Sequence, residues 1–264
     1  MNHERSGAGE PLVLIHGIGS HWQVWSPVIG ALADHHDVIA ADSPGFGRSP
    51  ALEPDLEPTV HGYADAFERF FGELGLRRPH VAGNSMGGGI ALELARRGAV
   101  SSATAIAPVG FWTARERRYS QALLRLSREV PPPLRPAVLA LAGTAAGRTI
   151  LMGTFFARPW RLAPEDARLT LEDFWAAPGF PDALAGFDRY VFRAGHELRH
   201  VPVTVAWGSR DRLLLFARQA PRARRALPHA RHVTLGGLGH APFYDDPAVV
   251  AEVMLQATGA VPGA

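Results

Sequence analysis

Short apolar runs recur along the chain, and each ends in a turn carrying glycine. Residues 12–15 lead into His16-Gly17-Ile18-Gly19, and residues 38–41 into Asp42-Ser43-Pro44-Gly45-Phe46-Gly47. A third run at 80–82 precedes Gly83-Asn84-Ser85-Met86-Gly87-Gly88. Helical patterning fills the intervals at 23–33 and 60–74, and 88–97 reads as an Ala- and Leu-rich helix. Strands apolar throughout, alternating with helices, predict a parallel sheet covered on both faces. The pattern returns near the end as a strand at 201–207, a helix at 216–226, a strand at 232–235 and a last helix at 247–257.

Residues 111–192 break this rhythm. They show no buried-strand pattern, only helical runs interrupted by Pro131-Pro132-Pro133, Pro159, Pro164, Pro178 and Pro181. About half of the chain's aromatic residues fall in this stretch. The expected organisation is one α/β unit, residues 1–110 with 200–264, interrupted by a helical cap at 111–199. Inserted after a strand, such a cap would wall an apolar pocket over the carboxyl ends of the sheet, where open α/β sheets bind ligands.

Composition narrows the chemistry. The chain has 264 residues and no cysteine. All of its 27 Lys+Arg positions are arginine. Thiolate nucleophiles, disulfides, cysteine-ligated metals and lysine Schiff bases are therefore excluded. A covalent nucleophile must come from Ser, Thr, Asp, Glu, His or Tyr. With a net charge of +2, a nucleic-acid partner would require clustered basic residues. Arg218, Arg222, Arg224, Arg225 and Arg231 have no interleaved aromatics and read as a solvated helix face, so no nucleic-acid partner is expected. Residues 1–10 lack the apolar core of a signal peptide. The apolar stretch at 137–157 is broken by glycines and Arg148, so no membrane insertion is expected and the predicted location is cytoplasmic.

Gly83-Asn84-Ser85-Met86-Gly87 has the small-x-Ser-x-small form of a strand-to-helix turn. Such a turn holds its serine in a strained backbone, and only glycine-sized neighbours let strand and helix come close enough. Serine needs a base, and the base needs an orienting carboxylate. Asp211 follows the strand at 201–207 through Gly208-Ser209-Arg210, and His240 follows the strand at 232–235 through Gly236-Gly237-Leu238-Gly239. Ser85, Asp211 and His240 should thus emerge at one edge of the sheet. His229 and His232 lie before a strand or at its start, on the opposite edge.

These turns, with Gly208-Ser209-Arg210-Asp211 and Gly239-His240, resemble the α/β-hydrolase fold superfamily over nearly the whole chain, in its serine esterase or lipase-like branch with a helical cap. The resemblance implies Ser85 as nucleophile, His240 as general base and acid, and Asp211 as the residue orienting it. It further implies an oxyanion hole from the backbone N–H groups of Ile18 and Met86, with His16 as a structural residue of its loop. Only about ten residues precede Pro11, so the family's first β-strand is expected to be missing or truncated. Serine at the elbow speaks against the branches with a carboxylate nucleophile. The expected activity is hydrolysis of a carboxylic ester or related acyl compound with a hydrophobic moiety, with no cofactor. Trp22, Trp25, Trp112, Phe155, Phe156, Trp160 and Trp175 are candidates for the pocket of this small-molecule substrate. One alternative is carbon–carbon bond hydrolysis of aromatic meta-cleavage products, a branch that often carries Gly-Asn-Ser-Met-Gly-Gly but often places an aromatic where this chain has Ala241. A non-catalytic ligand-binding protein is another.

His196-Glu197-Leu198-Arg199-His200 also matches the H-E-x-x-H zinc pattern. Pro202 closes any helix there and no third ligand is evident nearby, so two surface histidines and no metal are expected.

Overall fold

A computed structural model of the chain describes residues 1–262, with Arg199 described by its backbone alone. Seven strands form one sheet in the order β1-β3-β2-β4-β5-β6-β7. They are β1 (His3–Ser6), β2 (Pro11–Ile15), β3 (Asp37–Ala41), β4 (His80–Asn84), β5 (Ser102–Ile106), β6 (Val203–Gly208) and β7 (Arg231–Leu235). Every pairing is parallel except that of β1 with β3.

Two strands escape the hydrophobic pattern. The N-terminal end is short, as expected: in place of a hairpin, one four-residue strand precedes β2 among the described residues, paired with Ala41, Ala40, Ile39 and Val38. Its sequence, His-Glu-Arg-Ser, sits at the sheet edge, where Arg5 donates to the Asp37 carboxylate, and an edge strand needs no apolar run. Strand β5, Ser-Ala-Thr-Ala-Ile, is wholly buried between β4 and β6. Its small side chains suit close packing but give little strand signal.

Alternation along the central strands divides the core. Leu12, Leu14, Val38 and Ala40 pack on one face with Val28 and Leu32 of α1 (Ser26–Ala33) and with Val250 and Met254 of α10 (Pro247–Thr258). Val13, Ile15, Ile39 and Ala41 face the other side with Phe67 and Phe70 of α2 (Val60–Glu73) and Ile90 and Leu94 of α3 (Met86–Arg96). Ala220 and Ala223 of α9 (Phe216–Ala226) join that second face. Burying both faces explains why the strands lack a polar register.

Between β5 and β6 run α4 (Ala114–Arg128), α5 (Arg135–Ala142), α6 (Ala145–Met152), α7 (Pro164–Ala176) and α8 (Phe180–Gly186). Thr113 and Glu116 form a reciprocal capping box that starts α4. The segment leaves and returns at one place: Phe192 N–H donates to the Gly110 carbonyl at 3.0 Å, and Trp112 Nε1–H to the Tyr190 carbonyl at 3.0 Å. The apolar stretch at 137–157 is divided between α5 and α6, and among the described residues no helix is long and apolar enough to cross a membrane.

Candidate active site

The chain runs outward from β2 to β3, then crosses back to β4 and continues the other way. The loops after β2 and β4 therefore flank the topological switch point, the usual ligand crevice of an open α/β sheet. The first carries Gly17-Ile18-Gly19 and the second Ser85.

Ser85 has φ 58° and ψ −112°, a sparsely populated conformation for a residue with a side chain. Its neighbours explain how the turn closes. A Cβ at Gly83 would overlap the Gly87 carbonyl, and one at Gly87 would overlap the Ile15 carbonyl. Ser85 N–H donates to the Ile106 carbonyl at 2.9 Å, tying the elbow to β5. Helix α3 begins at Met86, so its first-turn amides have no intrahelical acceptor and present positive partial charge beside Ser85.

The loop after β2 lies against this elbow. A Cβ at Gly17 would stand 3.2 Å from Ser85 Cβ. Ser20 N–H closes the turn on the Gly17 carbonyl at 3.2 Å, with Ile18 inside it. Gly19, at φ +77°, leaves the space that the Phe174 ring of α7 occupies. Asp173 also meets this loop through His21, at 2.7 Å. Burial pushes the His21 imidazole down, but Asp173, with smaller contributions from Gln23 and Asp42, raises it and the net shift is upward.

His16 is entirely buried. Its Nδ1 donates to the Gly17 carbonyl at 2.7 Å and its Nε2 accepts from Ser43 N–H at 2.9 Å, which joins the loops after β2 and β3. Burial pushes this imidazole down to about 4. The unfolded chain binds more protons between its ordinary value and 4, so stability is lost as pH falls through that window, by up to about 3 kcal/mol. Urea midpoints at pH 7 and 4.5 should diverge more in the native sequence than in His16→Gln. Equal pH dependence in the two proteins would refute the assignment.

Asp211 and His240 follow β6 and β7 and meet. His240 Nδ1 donates to Asp211 Oδ2 at 2.8 Å, with both side chains buried. The carboxylate is otherwise satisfied: Oδ2 also accepts from Trp207 Nε1–H at 3.0 Å, and Oδ1 from the amides of Leu213 and Leu214 at 2.9 Å each. Asn84 Nδ2 donates to the His240 carbonyl at 2.9 Å and to that of Ile106 at 3.2 Å, linking the histidine loop to the residue before Ser85. Asn84 and Trp207 carry no motif of their own; only the folded chain shows what they hold.

Ser85 and His240 line one cavity of about 90 Å³, together with Gly17, Ile18 and Asn84. Its other walls come mostly from Met152, Phe155, Phe156, Leu171, Phe174 and Phe243. Among its described lining residues none is Arg, Asp or Glu, and the polar ones beyond the chemistry are Ser20, Ser127 and Thr170.

The aromatic wall differs from the sequence expectation. Phe155 and Phe156 line the cavity; Trp22, Trp25, Trp112, Trp160 and Trp175 do not. Trp25 is core beneath the sheet, where it packs on Phe243, and Trp22 is partly buried against the same cluster. Trp112 closes the ends of the inserted segment, as described above. Trp175 donates to the Ser127 carbonyl at 3.1 Å and lies beneath Arg135, while Trp160 is 48% exposed. Residue type alone does not say which face of a helix an aromatic occupies. Phe174 and Phe243 were the aromatics missed.

The H-E-x-x-H segment forms a 3-10 helix, Gly195–His200. At three residues per turn, positions four apart point in different directions, so the two histidines do not share a face. Glu197 pairs with Arg96 at 2.9 Å. Arg222, counted in the basic cluster, pairs with Glu116 and donates to the Phe111 carbonyl.

Residues 12–253 match the alpha/beta hydrolase family. The chain belongs to this family. An uncharacterized protein of Mycobacterium tuberculosis is 28% identical over 94% of this chain and 75% of its own length. An epoxide hydrolase of the same organism is 29% identical over 72% of this chain and 91% of its own. In structure, the hydrolase resembles the meta-cleavage product hydrolase of Pseudomonas fluorescens, with a TM-score of 0.76 at 19% identity over 98% of this chain and 93% of that one.

Proposed function

We propose that this family member is a serine hydrolase that cleaves a carboxylic ester, or a related acyl compound, through an acyl-enzyme. The buried Asp211–His240 pair, opening into the same cavity as the strained Ser85 elbow, is the observation that carries this reading. His240 takes the Ser85 proton as Oγ attacks the acyl carbon, and Asp211 holds the imidazole with Nδ1 protonated so that Nε2 can act as base. The tetrahedral oxyanion sits between the amides of Met86 and Ile18, donors typically worth about 3 kcal/mol of barrier each. His240 then protonates the leaving alkoxide, and water activated by the same imidazole releases the acid. The helices at 111–199 act as a cap, supplying Met152, Phe155, Phe156, Leu171 and Phe174 to the wall.

An uncharged acyl group fits the lining. A carboxylate held among these walls would have no cation to pair with, a cost of several kcal/mol. This favours a neutral hydrophobic ester over the dienoate acids of carbon–carbon hydrolysis. Serine at the elbow, where epoxide-opening relatives need a carboxylate, favours acyl transfer as well.

Two measurements test the proposal. A fluorophosphonate should form one adduct, mapped to Ser85, and labelling elsewhere or none would refute the nucleophile. p-Nitrophenyl butyrate should be turned over with kcat/KM about 100-fold above that of mono-p-nitrophenyl succinate, the ratio expected for burying an unpaired carboxylate. Equal values would refute the neutral-substrate reading.

A further inference from the structure

Asp245 belongs to neither the elbow nor the Asp211–His240 pair, yet its buried carboxylate spans two chain segments. Oδ2 accepts from Gly239 N–H at 2.7 Å, the amide directly before His240, and from Ala157 N–H at 2.9 Å. Oδ1 accepts from Arg158 N–H at 2.7 Å. Arg158 adds a guanidinium hydrogen bond to the Asp245 main-chain carbonyl at 3.3 Å. On the far side of His240, Ala241 N–H donates to the Phe155 carbonyl at 2.9 Å. The amides before and after His240 are thus both tied to residues 155–158. Gly239 permits this closeness, since a Cβ there would stand 2.6 Å from Ala157 N.

We infer that Asp245 is a positioning residue, which locks the His240 loop to the segment bearing the pocket wall Phe155 and Phe156. This rests on the serine-hydrolase reading. A carboxylate accepting three amides is a charge-assisted cluster, and it satisfies donors that would otherwise be buried without partners. It also makes the base and the wall one mechanical unit. His240 is held in place from Asn84 on the sheet side and from Asp245 and Phe155 on the other.

Asp245→Asn keeps size and shape but replaces one acceptor oxygen by a donor, which must face an amide N–H. With it, hydrogen exchange should accelerate together at 155–158 and 238–246 and remain as in the native sequence at β4 and α3. Turnover of p-nitrophenyl butyrate, normalised to the Ser85 sites that still react with fluorophosphonate, should fall about 10- to 100-fold, the usual effect of misplacing a catalytic group by about an ångström. Asp245→Glu, which keeps the charge, should recover part of the loss; it also serves as the test variant if Asp245→Asn does not fold. A purely structural role predicts lower stability with unchanged kcat per reactive site, and that result would overturn the inference. So would exchange rising in only one segment or in neither. If the native enzyme lacks Ser85-dependent turnover, the serine-hydrolase reading fails, and the positioning role fails with it whatever the exchange shows. If native turnover depends on Ser85 and Asp245→Asn matches it, the positioning role alone fails.

Discussion

Ser85→Ala is expected to reduce turnover of p-nitrophenyl butyrate by about 10⁶-fold, or about 8 kcal/mol of barrier. The size follows from how the parts depend on one another. Without the hydroxyl, His240 has no proton to take and no acyl-enzyme forms; only the amide donors and the pocket remain. The fold should be unaffected, because the Ser85 contacts that close the elbow are made by its backbone. Ser85→Gly should be equally inactive and more stable by about 1–2 kcal/mol, since glycine relieves the φ of 58°. Initial rates with equilibrium unfolding of both variants check this. Residual activity within tenfold of the native protein would place the nucleophile elsewhere.

Asp211→Asn should cost about 10⁴-fold in kcat with little change in KM. The carboxylate now accepts four hydrogen bonds, from His240, Trp207, Leu213 and Leu214. An asparagine oxygen left on the two amides turns its NH₂ toward His240 and Trp207. It would donate to His240 Nδ1, fixing the proton on Nε2, the atom that must accept from Ser85. It would also leave the Trp207 N–H facing a donor, a further loss of about 1–3 kcal/mol of stability. Kinetics and thermal unfolding of Asp211→Asn give both numbers. A kcat reduced less than about tenfold would mean that the pair is not the catalytic couple.

Glycine-bearing turns after strands located Ser85, Asp211 and His240 in the sequence: β4 and β6, buried on both faces, show as apolar runs, while the edge strand β7 before His240 is marked mainly by its Gly236-Gly237-Leu238-Gly239 turn. The same logic passed over β5, whose Ala and Ser positions lie where α3 and α10 pack onto the faces of the sheet and leave little room for longer side chains. It passed over β1, whose edge position asks for pairing rather than burial. Asp245 had no spacing signal either: its partners Ala157 and Arg158 are 88 and 87 residues away. The aromatics show the limit clearly. Trp25 and Trp175 are large aromatics like Phe174, yet the first lies under the sheet and the second turns its indole N–H to the Ser127 carbonyl.

Sequence by itself determined the α/β order, the helical insertion and the strand-end positions of the three residues proposed here for acyl transfer, since each depends on local backbone demands at a strand end. Tertiary structure alone decided that His240 and Asp211 touch, that Asn84, Trp207 and Asp245 hold them, and that Phe155, Phe156 and Phe174 rather than the tryptophans face the cavity. Those outcomes depend on contacts between segments far apart in the chain, and no local pattern encodes which face a side chain will find there.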